Sequence, residues 1–411
     1  MANTDTVDPD ALLGELLLTD EGKADPYPRY EALREHGPAF RSALGFVVVG
    51  RFDDCQGVLR DARFGKGEPT APWQQFGLTE EAWNERFTFF RRRRSMLGLN
   101  PPDHTRLRGL VAKAFTPKTA DRLRPDIVRL TDEIIDRFDG VVDVIPELAL
   151  TLPIAVIGEM LGVPEADRAA LQPLVRDTVA TLEFNLSLEQ LDAAALAAEG
   201  ITAVFEDLIA ERRARPTDDL LSELVHVEEQ GDRLNHDELI STIILLFAAG
   251  FETTTNLIGN GLLALLDHPD QLQLLRDDRS LLKGAVEEAL RYDSPVQLDG
   301  RSAMEKVEVH GLPLEPGDQI ITMLGSANRD PRKFSDPDRF DITRTGQQPM
   351  SFGAGIHFCL GAPLARAEGQ AVFDRLLNRF ETIEPAWGEH RPIYRRSLVL
   401  RGLEALPVRF A

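Results

Sequence analysis

Apolar residues recur at helical spacing along most of this chain and at strand spacing in only a few short pieces. Residues 11–18 form a short amphipathic stretch, and 26–36 predict a short helix carrying Tyr30, Leu33 and Arg34. The apolar run 46–49, bounded by Gly45 and Gly50, predicts a buried strand. Helical spacing resumes over 53–61, where Cys55 reads as small core filler. Residues 64–100 hold Pro69, Pro72, Trp73 and Trp83, show no clean period and read as a long binding loop. Residues 101–108 open the next helix, with His104 and Arg108 four apart on one face. Thr116-Pro117 has the chemistry of an N-cap followed by the first helical position, for a helix that turns Ile127, Leu130, Ile134, Ile135 and Phe138 to a core. Further helical patterns cover 155–161, 164–182 and 188–215, with Gly140, Pro164 and Pro216 as breaks.

Asn235-x-x-Glu238 starts the longest pattern, which runs to about Asp267. At 1.5 Å per residue it spans roughly 45–50 Å, enough to cross the whole molecule. A helix over 281–292 follows, containing Glu288-x-x-Arg291. Short strands are then expected at 307–309 and 319–323, a helix over 362–380, and a terminal strand pair at 397–400 and 403–410. No repeat or low-complexity linker divides the chain. Residues 25–411 read as one domain and 1–24 as an N-terminal extension.

Two places break local rules. Midway along the longest helix an apolar run gives way to Glu252, Thr253, Thr254 and Thr255. A buried carboxylate is costly unless paired, and β-branched hydroxyl residues are poor choices inside a helix. Such a break marks either a functional site or an exposed polar patch. The second place is the glycine-punctuated loop 351–361, which sets Cys359 just ahead of a helix. A helix N-terminus offers free N–H donors that favour a thiolate, and a thiolate binds metals strongly. Taken alone, Cys359 reads first as a buried structural cysteine.

Composition narrows the classes. With 411 residues, 43% of them hydrophobic, the chain can bury a large core. A net charge of −21 argues against nonspecific nucleic-acid binding. Two cysteines exclude a disulfide framework and a cysteine-rich zinc or iron–sulfur site. No secretory pattern and no long uninterrupted apolar run is seen, so a cytoplasmic protein without membrane attachment is expected. Arg91 to Arg94 form a basic run, which is either a solvated face or a contact for an anionic group.

Four motifs in this order resemble the cytochrome P-450 family of haem-thiolate monooxygenases, in its soluble bacterial form. They are Ala249-Gly-Phe-Glu-Thr253, Glu288-x-x-Arg291, Asp336-Pro-Asp-Arg-Phe340 and Phe352-Gly-Ala-Gly-Ile-His-Phe-Cys-Leu-Gly361. The resemblance implies a mainly α fold with small β-sheets, a triangular prism built from a helix-rich lobe and a smaller β-containing lobe. It implies haem b as cofactor, held by Cys359 as iron ligand, with Phe352, Gly353 and Gly361 in its loop. It also implies His104, Arg108, Arg301 and His357 on the haem propionates, and Ala249 and Gly250 beside the dioxygen site. Glu252 and Thr253 match the family's proton-delivering acid–alcohol pair. Glu288, Arg291 and Arg339 match its buried ion-pair triad. By the same analogy Leu97, Leu246, Ala249, Val296, Leu298 and Val399 line the substrate pocket.

The expected activity is insertion of one atom of O2 into a medium-to-large hydrophobic substrate, a terpenoid, steroid, macrolide or fatty acid. A separate ferredoxin and its reductase would supply the electrons to a monomer, docking on a basic face with Lys113, Arg329, Arg332, Lys333 and Arg366. The rival expectations are a peroxygenase driven by hydrogen peroxide and a haem sensor or carrier without turnover.

Overall fold

Asn235 begins the longest helix as anticipated. Its side chain accepts from the Glu238 N–H and the Glu238 carboxylate accepts from the Asn235 N–H, both at 2.9 Å, a reciprocal cap. The computed structural model describes residues 8–67, 77–87, 94–183, 186–229 and 232–411. In it this helix, His236–Asp267, runs through the main core. It is long and apolar enough to cross a membrane, but 78% of its apolar window is buried inside the protein, which makes it a core helix. Around it pack Thr151–Met160, Glu165–Val179, Leu188–Ala214, Leu282–Tyr292 and Ala362–Arg379, while Pro117–Ile135 lies against the last of these.

The β structure is small. A five-stranded sheet has the order Ala39–Arg41, Val47–Val49, Gln319–Met323, Leu298–Ala303, Phe64–Gly65. Its one parallel pair sets Val47 against Ile320. Val47, Val49 and Ile320 are fully buried, so this apolar run is a core strand. Cys55 lies in the same cluster as core filler.

Several expectations needed correction. Residues 8–24, the described part of the N-terminal extension, are folded against the rest of the chain. Pro9–Leu18 is a helix capped by Asp8, and its Leu13, Leu16 and Leu17 pack with Tyr30, Ile321 and Met323 of the sheet-side core. The helix expected from residue 155 begins at Thr151, because Pro153 falls in its first turn, where no intrahelical N–H is needed. The loop 64–100 contains a helix, Glu80–Arg86, capped by Thr79. The two terminal strands do not pair with each other. The Leu398 and Val399 N–H groups are taken by the Glu183 carboxylate, at 3.2 and 3.1 Å, so they are not free for a ladder. Pro407–Phe410 pairs instead with Ile383–Pro385 and Gly140–Asp143. Arg91, Arg92 and Arg93 lie outside the described residues, and Arg94 donates to the Gly98 carbonyl.

One buried acid on the Ala362–Arg379 helix carries a testable consequence. Glu368 is 2% exposed and its Oε2 has no hydrogen-bond partner. Burial pushes its carboxyl up to about 8. An unfolded glutamate titrates near about 4.3, so between roughly pH 4.5 and 8 the unfolded chain ionises while the folded one holds its proton. Stability therefore falls as pH rises through that window, by at most about 1.4 kcal/mol per pH unit from this group. Glu368→Gln should match the parent near pH 4.5 and exceed it by several kcal/mol near pH 8. Urea unfolding of both proteins at the two pH values checks this, and equal differences at both would count against it.

Candidate active site

The cysteine loop is built from two turns of 3-10 helix, Met350–Phe352 and Gly355–His357, followed by the helix Ala362–Arg379. Gly355 has φ +71°, and a Cβ there would run into the Leu59 carbonyl, so this position requires glycine. Gly353 also has positive φ, Gly361 is the N-cap of the following helix, and the Cys359 N–H donates to the Phe352 carbonyl at 3.0 Å. The Arg366 guanidinium sits 4.4 Å from the Phe352 ring centroid. Burial pushes the Cys359 thiol up, opposed by the N–H groups of Gly361 and Ala362 and by Arg108 and Arg366. A bound cation would supply the remaining charge that favours the thiolate.

Facing the loop is a cationic cluster. The His104 and His357 rings lie 4.3 Å apart between centroids. Both ring nitrogens of His104 and the Nε2 of His357 are buried without a partner. Burial pushes His104 down, and Arg108 acts in the same direction. His357 is pushed down to about 3, by burial first and then by Arg301, His104 and Lys66. Arg108 donates to the Phe358 carbonyl, one residue before Cys359. Arg301 and Lys66 share the single carboxylate Asp299, at 2.5 and 2.8 Å. Three cations and one carboxylate leave two positive charges beside three unpartnered imidazole nitrogens. That arrangement fits a ligand bearing two carboxylates, as haem does with its propionates. Sequence reasoning found every member except Lys66, which sits in the aperiodic stretch where no pattern marks it.

The long helix supplies the opposite wall. Leu245, Ala249 and Thr253 are spaced by four and form one stripe. Along the otherwise buried stretch from Ile244 to Leu266, these three and Gly250 are the residues not fully covered, and Ala249 is exposed. A Cβ added at Gly250 would meet nothing within 4 Å. Small residues at mid-helix, opening onto free space, fit a flat group laid against the backbone. Leu246 packs into the main core, so Leu245 is the leucine on the stripe. Leu298 is likewise a core residue, packed with Leu13, Ile321 and Met323. Val296 and Val399 stay close together, since the Gln297 N–H donates to the Val399 carbonyl and Val296 bridges Leu400. Leu97 is 40% exposed in the turn Met96–Gly98.

The threonines follow the rule that makes them costly in a helix. Thr253 Oγ1 donates to the Ala249 carbonyl at 2.7 Å, and Thr255 Oγ1 to that of Phe251 at 3.0 Å. Glu252 is buried and engages Arg395, so it is paired, and it shares no hydrogen bond with Thr253. The triad also needs correcting. Arg291 and Glu288 form a buried bidentate pair at 2.7 and 2.8 Å. The second guanidinium on Glu288 is that of Arg344, at 3.2 Å. Arg339 contributes its carbonyl to Arg291 while its side chain is exposed. Of the expected docking face, Arg329 is buried between Tyr27 and Tyr292 and Arg366 is paired with Glu287. Lys113 and Arg332 are exposed.

Comparison with known proteins agrees with this geometry. The family model for cytochrome P450 matches residues 189–406. Cytochrome P450 107B1 of Saccharopolyspora erythraea is 42% identical, over 96% of this chain and 98% of the relative. The cytochrome P450 monooxygenase PikC of Streptomyces venezuelae is 41% identical, over 96% and 93%. The crystal structure of P450BioI in complex with an acyl carrier protein ligated to hexadec-9Z-enoic acid superposes with a TM-score of 0.87. It is 36% identical and covers 95% of this chain and 99% of that one. This chain therefore belongs to the cytochrome P450 family and is a haem b-binding monooxygenase.

Proposed function

We propose that the Cys359 thiolate would hold the haem iron and that the substrate is a medium-to-large hydrophobic molecule oxidised between the stripe of the long helix and the wall formed by Val296 and Val399. The observation that carries this reading is the pairing of a helix-capped cysteine with a cluster of two net positive charges. Bound haem supplies the iron at which dioxygen is activated. Arg108, Arg301 and Lys66 offset the charge of its two carboxylates, and the neutral His104 and His357 rings donate hydrogen bonds to them. Ala249 and Gly250 keep space beside the long helix. Thr253 presents a hydroxyl on the open stripe, and Glu252, one residue earlier, is the acid through which a chain of water would deliver protons toward it.

Apolar side chains dominate the residues assigned to the pocket, namely Leu97, Leu245, Ala249, Val296 and Val399, and they exclude water from it. P450BioI was solved with a fatty acyl chain on a carrier protein, which makes long-chain acyl groups the first substrate class to test, ahead of macrolides, steroids and terpenoids. A spectral titration of the ferric protein with one member of each class measures which displaces water from the iron.

The electron donor in this reading is a ferredoxin served by its own reductase. Its docking face is the exposed pair Ile356 and Phe358 beside Cys359, flanked by Lys113. Thr253→Ala should lower the fraction of NAD(P)H electrons recovered in product about tenfold and raise hydrogen peroxide release to match. Unchanged coupling would remove Thr253 from the proton path.

A further inference from the structure

Beside the wall of Val296 and Val399, a turn near the C-terminus grips a carboxylate that belongs to a distant segment. Glu183 follows the turn Ala180–Leu182, between the helices Glu165–Val179 and Leu188–Ala214. Its Oε1 accepts from the Ser397 hydroxyl and, at 3.1 Å, from the Val399 N–H, and its Oε2 accepts from the Leu398 N–H at 3.2 Å. Successive N–H groups of an extended strand point to opposite edges. Residues 397–399 are therefore turned so that both N–H groups and a hydroxyl converge on one anion, as in other backbone anion sites.

The donors are held in place without help from Glu183. Ser397 Oγ accepts from the Leu400 N–H at 3.1 Å, which leaves the hydroxyl proton for the carboxylate. The Val399 carbonyl accepts from the Gln297 N–H and the Pro295 carbonyl from the Arg401 N–H, both at 2.9 Å. Arg401 is anchored in turn, its Nε donating to the buried Asp293 at 2.5 Å. The acceptor is the loosely held member. Glu183 is half-buried, and all three of these donors are uncharged. The two cations just upstream, Arg395 and Arg396, are engaged with Glu252 and Asp20. Leu182, next to Glu183, is 43% exposed, and Val399 is itself apolar, so the carboxylate sits where fixed polar donors meet apolar surface.

We propose that Ser397, Leu398 and Val399 form a cradle for the carboxylate of a free fatty acid, and that Glu183 fills it while no such acid is bound. The proposal rests on the reading of Val296 and Val399 as a pocket wall and of long-chain acyl groups as the first substrate class, and it adds where the head group goes. The incoming carboxylate takes over the three hydrogen bonds, Glu183 turns out to water, and the cradle holds one negative charge before and after. The alkyl chain runs along the Val399 side chain. An acyl thioester on a carrier protein offers one uncharged carbonyl oxygen in place of the anion, so the free acid is the form that the cradle selects.

The test titrates the haem-loaded full chain with tetradecanoic acid and with tetradecan-1-ol, which share a chain and differ in head group. Binding is read from the ferric absorption spectrum and, independently of the spectrum, from the heat of binding. In the parent the acid must displace Glu183 and should bind no better than the alcohol. Glu183→Ala empties the cradle, so the acid should bind about tenfold more tightly than to the parent while the alcohol is unchanged. Adding Ser397→Ala to that variant should remove much of the gain. Glu183→Gln is run beside them in case the alanine variant does not fold. Its amide carries no charge, so the acid should still gain, by a smaller factor. If acid and alcohol move together in these variants, Glu183 only braces the turn, and the inference falls while the pocket reading stands. If neither ligand binds the parent or any variant, the acyl reading fails and takes the inference with it.

Discussion

Cys359→Ser is expected to lose the red-shifted absorption band of the carbon-monoxide complex of the reduced protein, and product formation with it by about a thousandfold or more. The cysteine lies in a loop whose turn conformation depends on Gly353 and Gly355 and on the Phe352 carbonyl, so the serine variant should fold. Its hydroxyl stays protonated, gives the iron no thiolate donation, and leaves the cationic cluster intact. Haem is therefore still expected to bind, through its carboxylates, with altered spectra. The other cysteine makes the control. Cys55 is fully buried, with its Sγ 3.4 Å from the Val49 carbonyl and 3.8 Å from that of Met323. Cys55→Ser should keep the band and lose about 1–3 kcal/mol of stability, through the polar group it buries. Absorption spectra and urea unfolding of the two variants separate the roles. A retained band in Cys359→Ser would make that cysteine a core residue.

What the sequence revealed and what it hid divide along physical lines. The reciprocal cap at Asn235 and Glu238 and the strands Val307–Val309 and Gln319–Met323 were legible because local chemistry decides them. The cysteine loop and the Glu252–Thr253 break were legible because they violate local rules. The contacts that complete the site are long-range and were not legible. Lys66 reaches Asp299 across 233 residues and Arg395 reaches Glu252 across 143, and no periodicity marks either. The terminal strands failed for a related reason. Residues 397–400 have strand-like composition, but a carboxylate from a distant turn takes the N–H groups that a ladder would use. The placing of Arg339 in the triad failed more narrowly. The motif brings that stretch of backbone to Arg291, and then a carbonyl makes the contact while the charge is supplied five residues later by Arg344.

That last distinction gives the second large effect. Arg291 uses all three of its guanidinium nitrogens. Nε and Nη2 hold the Glu288 carboxylate, Nη1 donates to the Asn328 and Pro337 carbonyls at 3.0 and 2.7 Å, and Nη2 also donates to that of Arg339 at 3.0 Å. Asn328 carries the hub to the cysteine loop, its Nδ2 donating to Ser351 Oγ at 2.9 Å and its Oδ1 accepting from the Met350 N–H at 2.6 Å. Arg291→Ala leaves the buried Glu288 to Arg344 and the Asp341 N–H and strips three carbonyls of their donor at once, so it should cost about 3–5 kcal/mol and weaken haem retention by loosening the loop. Arg344→Ala removes the half-buried second cation and should cost about 1–3 kcal/mol. Arg339→Ala keeps the carbonyl that matters and drops an exposed side chain, so its cost should stay within about 0.5 kcal/mol. Urea unfolding of the three variants ranks them. If Arg339→Ala costs as much as Arg344→Ala, the hub is not organised as the structure has it, and the ion pair behind the cysteine loop belongs to the motif arginine after all.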